Sequence, residues 1–412
     1  MRKIMACLDV GSDSVKCIVG EMVKKKLNIL AVAESPSMGV KAGLVDDANL
    51  LLKPLQNVIQ KCEDVIGLPI KQVIVSVPSI DAYYNIVSGY INIENEGNLI
   101  SGKDVIRVSQ QAIKKGKIEG MEYISMMPTS FSLDDERVVR DPKGLTSKTL
   151  GVRGVMVSTP KKNIYPILAC LERLNIDVLD IALSSIGDYY EFKDKELDKE
   201  IGAVVNLGHE ISTVSIFNKG VLTNSNIINV GSNNVDKDLS FIYKISNRDS
   251  KYLKEKFALA HKNNAQTTEF MEVHTNNDSV ITVNQYEVTE IVMSRVQEIL
   301  NLCKKEINHL TKKEISYIII TGGLTECRDF KVVLNEVFGS SAAIGNIKEI
   351  GVRNNKFSTS VGLIKYYAYM QQLKDKDFSI YTIDEQQELS GSNLDLEDES
   401  MIGKLFGYIF NS

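Results

Sequence analysis

The sequence predicts an α/β fold made from one unit used twice, and three observations predict it. Strand-like and helical segments alternate along most of the 412 residues. The order strand, turn, strand, turn, strand occurs at the start, as IMACLDV, GSDS, VKCIVGEM, a KKK turn and LNILAVAES. It returns around 201–230 as IGAVVNL, GHEIS, TVSIFNKG and VLTNSNIIN. Asp9-x-Gly11 and Asn206-x-Gly208 hold equivalent places 197 residues apart, which suggests a duplicated domain rather than a solenoid.

Composition sets the outer limits. The chain is 43% hydrophobic and 25% charged, the mixture of a globular protein with a real core. At about 150 residues per domain, two or three domains are expected. No uncharged apolar run approaches the roughly 20 residues of a spanning helix, and Asp9 interrupts the apolar start too early for a signal peptide. The six cysteines (7, 17, 62, 170, 303 and 327) form no Cys-x-x-Cys pair, and the four histidines add no metal spacing. Neither a disulfide scaffold nor a zinc site is expected, and a reducing cytoplasm fits. The net charge of −5 argues against nucleic acid as a partner.

The elements between and after the two copies follow from periodicity. Residues 50–66 are amphipathic, with Leu51, Leu55, Val58, Ile59 and Cys62 on one face. KQVIVSVP reads as a buried strand and 163–174 as a helix. Residues 81–159 form a more polar, strand-rich insert holding a helix at 104–117. After the second copy, helices are expected at 251–260 and 286–311, with MEVHT and SVITV as a hairpin between them. Residues 316–321 read as a buried strand ending in Gly322-Gly323, and 330–338 and 360–372 as helices.

The charge is concentrated at one end. From 373 to 400 two lysines face nine acidic residues, a net of −7, so the rest of the chain carries +2. Few large apolar residues and no helical period predict a disordered, self-repelling linker there. Residues 401–412 (MIGKLFGYIFNS) place Ile402, Leu405, Phe406, Ile409 and Phe410 on one helical face, with Ser400 as N-cap. So short a helix, with Gly403 and Gly407 inside it, is marginal in water and needs a surface to fold on. The protein's own core and a membrane interface are both candidates; the long acidic tether favours the membrane. Lys404 is its only cation, worth about 1 kcal/mol near anionic lipid. Burial of five apolar side chains less the cost of ordering leaves about 5 kcal/mol, a Kd on the order of 0.1–1 mM. Stable attachment then needs many copies on one object, a polymer or an array.

Three turns carry candidate chemistry. In Asp9-Val10-Gly11-Ser12, a tight turn between strands aims backbone N–H groups at one point. Ser12 and Ser14 add hydroxyls, Lys16 lies on the same strand face as Ser14, and Asp9 is placed to hold a metal ion through water. The second turn is Asn206-Leu207-Gly208-His209-Glu210. The third is Thr321-Gly322-Gly323-Leu324, where two glycines let a base or ribose slide against the backbone. Each alone reads as an ordinary hairpin or strand-end turn; the three in this order read as a nucleotide cleft.

In that order the turns resemble the actin-like ATPases, and within them the FtsA family. The resemblance runs over almost the whole chain: LDVGSDSVKCIVGEM, VVNLGHEISTVSIFNKG and IIITGGLTECRDF for the three loops, the insert from MPTSFSLDDERVV through GVRGVMVSTP, INVGSNNVDKDLSFIY, and FSTSVGLIKYY before the acidic linker. It implies a ribonuclease H-like duplicated, two-lobed fold. The implied first lobe is 1–80, 160–200 and 359–372, with the family's inserted subdomain at 81–159. The second lobe is 201–235 and 309–358, its outer subdomain 236–308, then a linker at 373–400 and a membrane-targeting helix at 401–412. It implies filaments, binding of the FtsZ C-terminal tail, tethering of FtsZ to the cytoplasmic face of the inner membrane at midcell, and recruitment of later division proteins. It also implies ATP and magnesium in the cleft. By motif, Asp9 faces the metal, and Gly11, Ser12, Asp13, Ser14 and Lys16 the phosphates. Asn206, Gly208, His209 and Glu210 form the second loop. Gly231, Asn233 and Asp238 lie in the connecting motif, Lys254 on the ribose side, and Gly322, Gly323 and Leu324 at the adenosine. Ile402, Lys404, Leu405, Phe406, Ile409 and Phe410 meet the membrane.

The departures matter as much. The family's second loop, D-x-G-G-G-T, becomes Asn206-Leu207-Gly208-His209-Glu210-Ile211. An amide cannot supply the charge that orients metal-bound water, and two glycines that allow close phosphate approach are gone. Weak or no ATP hydrolysis is expected. Lys251 stands where the family usually has a glutamate. The alternative is a pilus-assembly (PilM-like) or other actin-like scaffold. A kinase of this fold needs an intact second loop, and a chaperone needs a peptide-binding domain after the core.

Overall fold

The computed structural model describes residues 2–390. The first lobe opens with β1 (Lys3–Val10), β2 (Ser14–Val23) and β3 (Lys26–Pro36). A small hairpin follows, β4 (Val40–Lys41) and β5 (Leu44–Val45), then α1 (Ala48–Ile66) and β6 (Gln72–Val77). Asp47 caps α1 by accepting from the N–H groups of Asn49 and Leu50, and Gly67 ends it in the left-handed region at φ 82°. The buried face of α1 is Leu51, Leu55, Val58, Ile59 and Cys62, the face that periodicity assigns.

The insert is a layer of its own: β7 (Tyr83–Asn92), α2 (Gly102–Gly116), β8 (Met121–Leu133), β9 (Val138–Val139) and β10 (Thr149–Pro160). Its sheet runs β7-β10-β8-β9, and it has a separate core around Phe131, Val108 and Leu150. The chain then returns through α3 (Tyr165–Arg173) to β11 (Asp177–Leu183) and α4 (Ser184–Phe192).

The second lobe repeats the first. It holds β12 (Ile201–Leu207), β13 (Ser212–Asn218), β14 (Val221–Ile228), α5 (Ser232–Tyr243) and α6 (Asn247–Lys256). Next come the hairpin β15 (Phe270–His274) and β16 (Val280–Asn284), α7 (Gln285–Leu310), β17 (Tyr317–Thr321), α8 (Phe330–Phe338) and β18 (Ala342–Ile344). The first sheet runs β11-β6-β1-β2-β3 and the second β14-β13-β12-β17-β18. Strand for strand these are one topology. β1 and β12 each pair antiparallel with the next strand and parallel with the strand after a crossover.

Helix α9 (Ser358–Leu373) follows the second sheet and crosses α4. Gly187 and Gly362 make the crossing possible: a Cβ on Gly362 would lie 1.7 Å from the Gly187 carbonyl oxygen. The largest core cluster gathers around these two helices, between the sheets.

Residues 373–390 correct the sequence reading. They are packed on the first lobe, ending in α10 (Ile383–Ser390). The Ile380 N–H donates to the Ile4 carbonyl at 2.9 Å. Ile380 and Tyr381 are buried in the first-lobe core, and Gln386 bonds to both backbone groups of Arg2. Three well-spaced apolar residues (Phe378, Ile380 and Tyr381) outweigh the charge, because the acidic groups stay at the surface and pair: Asp375 with Lys143, Asp377 with Lys3, Glu385 with Lys71. The rest of the linker and the predicted helix, with Ile402, Lys404, Leu405, Phe406, Ile409 and Phe410, lie outside the described residues. No helix among the described residues is long and apolar enough to cross a membrane.

Candidate functional site

A cavity of about 700 Å³ lies between the lobes, lined by all three candidate turns and by α6. That volume suits a nucleotide-sized ligand. Asp9, Gly11, Ser12, Asp13, Ser14 and Lys16 line it from the first lobe. Asn206, Gly208, His209, Glu210, Lys254, Gly322, Gly323 and Leu324 line it from the second.

The first turn closes with the Gly11 N–H donating to the Ser14 carbonyl at 3.1 Å. Register places Lys16 directly opposite Asp9, and its ammonium lies 3.1 Å from Asp9 Oδ2. The other oxygen, Oδ1, accepts from the Ser76 hydroxyl at 2.6 Å. Both oxygens of Asp9 are therefore committed. Ser12 Oγ accepts the Gly43 N–H at 2.9 Å, tying the β4–β5 hairpin to this turn.

In the second turn the Gly208 N–H donates to the Ile211 carbonyl at 3.0 Å. Asn206 donates its amide to Asp188 Oδ2 at 2.8 Å, while Ser358 and Thr359 donate to Oδ1. Complete burial pushes Asp188 up to about 6. The His209 imidazole sits 3.4 Å from Ser232 Oγ, and burial holds its pKa below the usual value. Glu210 reaches out of its own lobe: its Oε2 accepts the Ala42 N–H at 2.6 Å.

The connecting motif sits behind the second turn. Ser232 N–H donates to the Gly208 carbonyl at 2.9 Å and Asn233 N–H to the His209 carbonyl at 2.8 Å. The protein's own loop thus fills the N-terminus of α5, where an anion would otherwise bind. Gly231, Asn233 and Asp238 do not line the cavity. Asp238 instead pairs with Arg295 on α7, at 2.6 Å. The acidic partner of Lys254 is Asp236, at 2.8 Å in a buried pair. The two aspartates are only two positions apart, and no sequence pattern separates them.

At the third turn Gly322 has φ 96°, and a Cβ there would meet the Leu207 carbonyl at 2.4 Å and Asn206 Oδ1 at 2.6 Å. Its role is to let the second and third turns touch. Gly323 is the open one: a Cβ there would meet only Lys356, at 3.8 Å. A flat apolar group can lie against it.

Sequence reasoning missed several lining or supporting residues. Lys251 pairs with Asp13 across the cleft, at 2.6 and 2.8 Å. Burial acts to raise the Asp13 carboxyl, but the ammonium outweighs it and holds the carboxyl below its usual value. Lys356 and Glu34 pair at 2.5 Å. Ser76, Asp188 and Ala42 bond to the motif residues from elements distant in sequence, so nothing local could have found them. Gly323 leaves the glycine side of the cavity open. No set of direct magnesium ligands is assembled: each Asp9 oxygen already accepts one hydrogen bond, position 206 is an amide, and no group of three or more His, Cys, Asp or Glu among the described residues is arranged to hold a metal.

Two family descriptions match the chain. "Cell division protein FtsA" matches residues 203–362, the core of the second lobe. "SHS2 domain inserted in FTSA" matches 84–158, the four-stranded insert. The cell division protein FtsA of Bacillus subtilis (strain 168) is 26% identical over 371 residues, covering 88% of this chain and 83% of that protein. FtsA of Streptococcus pneumoniae is 25% identical over 368 residues, covering 89% and 80%. Among solved structures, a PilM–PilN type IV pilus biogenesis complex aligns with TM-score 0.58 and 10% identity, over 87% of this chain and 97% of that one. MreB5 of Spiroplasma citri bound to ADP aligns with TM-score 0.56 and 10% identity, over 91% and 99%. The structural likenesses establish the actin-like fold. With its duplicated lobes, its insert and a matched second-lobe core, the chain belongs to the FtsA family of cell division proteins.

Proposed function

We propose that the chain is a membrane-tethered adaptor: it polymerises, binds the C-terminal tail of FtsZ, anchors the Z ring to the inner membrane at midcell and recruits later division proteins. The observation that carries this reading is the pairing of the family's insert (84–158) with the apolar terminal segment 401–412. The domain division set out from sequence goes with it, with 373–390 joined to the first lobe.

A surface for the FtsZ tail is available on the second lobe. Phe241, Ile242 and Tyr252 are exposed on α5 and α6, and the Lys244 ammonium lies 4.2 Å from the centre of the Phe241 ring. Exposed aromatic and apolar groups on paired helices suit a short peptide. The cleft takes ATP for stability, with its base against Gly323 and Leu324, and turns it over weakly or not at all, because Asn206 lacks the charge that orients metal-bound water and His209 and Glu210 replace two glycines that allow close phosphate approach.

Full-length protein pelleted with liposomes tests the tether. Phe406→Glu places a charge on the apolar face, at a cost exceeding one copy's binding energy, and should leave the protein in the supernatant; unchanged pelleting sinks the membrane reading. A peptide of the FtsZ C-terminus should bind wild type and lose at least tenfold in affinity with Phe241→Ser. ATP should raise the thermal midpoint only modestly. A large rise with fast phosphate release overturns the non-hydrolysing cleft. The pilus alternative rests on likeness of fold alone, and no residue in the cleft favours it.

A further inference from the structure

We propose that the cleft is latched shut by the protein itself, through Glu210 and Lys251, so that closure of the two lobes requires no nucleotide. Both residues are departures from the family pattern, and both reach across the cleft. Glu210, in the second turn, takes the N–H of Ala42 in the first-lobe hairpin at 2.6 Å. Lys251, on α6, grips both oxygens of Asp13 in the first turn. Lys356 and Glu34 add a third bridge nearer the crossing helices.

The hairpin is built to hold its end. Ala42 and Gly43 occupy the turn at φ 49° and 78°, the geometry of a two-residue hairpin with both central residues left-handed. That geometry turns their N–H groups away from the hairpin. Ser12 takes the Gly43 N–H within the lobe, which leaves the neighbouring Ala42 N–H facing the second lobe and Glu210.

A single half-exposed ion pair holds little. Here a charge-assisted hydrogen bond and two ion pairs act on one hinged body, and a hinge needs only a small bias to sit closed. In a cleft that closes on ligand, a bound nucleotide supplies the bridge between the lobes. Here the phosphate-side turns bridge directly. The inference goes beyond the nucleotide reading of the same cleft and stands or falls separately from it.

Hydrogen–deuterium exchange on the nucleotide-free full chain tests the latch. Lys251→Glu and Asp13→Lys each set like charges face to face, and each should speed exchange in the β4–β5 hairpin at least fivefold. Exchange in β10 of the insert should not change, which controls for folding. The double variant Asp13→Lys/Lys251→Glu rebuilds the pair reversed and should return to within twofold of wild type. Single variants that exchange like wild type, or a double variant as fast as the singles, overturn the latch. ATP adds a separate arm. If saturating ATP slows wild-type hairpin exchange fivefold or more, ligand closes the cleft and the latch is wrong while the nucleotide reading survives. If ATP fails to bind and the charge-swap pattern holds, the latch stands and the nucleotide reading falls.

Discussion

In the first turn of the cleft the Gly11 N–H meets the Ser14 carbonyl at 3.1 Å, and in the second the Gly208 N–H meets the Ile211 carbonyl at 3.0 Å. The strand pairing around them is also the same. The side chains are not. Asp9 faces Lys16 across its ladder and pairs with its ammonium at 3.1 Å; Asn206 faces Thr213, and its other neighbour is the buried carboxyl of Asp188. Duplication has kept the main-chain turn, which the fold needs, and released the side chains, which only chemistry needs. Asn206 has Thr213, not a lysine, opposite it in the ladder, so an amide that can donate to Asp188 is the residue its surroundings accept.

The largest effect should come from restoring the family's residue. Asn206→Asp removes the amide donor and sets a second carboxylate against the buried Asp188. A loss of about 3 kcal/mol is expected at pH 7, the scale of an uncompensated buried charge. The loss should shrink on acidification. Asp188 already holds its proton up to about pH 6 in the folded protein, whereas an unfolded aspartate releases it near 3.9. The folded state therefore binds more protons between those values, and stability falls as pH rises through them. A second carboxylate pushes this titration higher, so calorimetry should find the deficit largest above pH 7 and smaller at pH 5. A variant as stable as wild type at pH 7 would mean that both turns tolerate charge equally.

The next effect separates the turns by space alone. A Cβ on Gly208 would lie 2.7 Å from the Ile211 carbonyl oxygen, and one on Gly11 would lie 3.2 Å from that of Ser14. Gly208→Ala must move backbone, at a cost of about 2 kcal/mol, while Gly11→Ala should cost less than about 1 kcal/mol. Equal thermal midpoints for the two variants would erase the distinction.

Much of this was legible in the sequence because backbone and burial write themselves locally. The repeated strand-turn-strand order, the apolar face of α1 and the insert between the copies are periodic signals, and the sheets follow from them. The face of Lys16 could be read too, from its two-residue spacing to Ser14, although its place opposite Asp9 came from the strand pairing. What stayed hidden was made by contacts between distant segments. Nothing near Glu210 points to Ala42, 168 residues away, and nothing near Lys251 points to Asp13. The choice of Asp236 over Asp238 depends on which side of α5 faces Lys254, a question of helix rotation that two aspartates two residues apart leave open. The charge count over 373–400 was correct, yet three apolar residues within 373–390 decided the packing of that part.

The smallest expected effect compares how the two turns hold the same hairpin. Ser12 and Glu210 each accept one N–H from it, Ser12 within its own lobe and Glu210 from across the cleft. Ser12→Ala removes a neutral acceptor and should cost about 1 kcal/mol. Glu210→Gln keeps a neutral oxygen in place of a charged one, and since charged acceptors are worth about 1 kcal/mol more, it should cost about the same. Salt tells them apart. The Glu210 contribution carries charge and lies in a half-open cleft, so raising the ionic strength from about 0.05 to about 0.5 M should shrink the Glu210→Gln deficit while leaving the Ser12→Ala deficit unchanged. If both deficits respond alike to salt, Glu210 grips the hairpin by shape rather than charge, and the second turn differs less from the first than its side chains suggest.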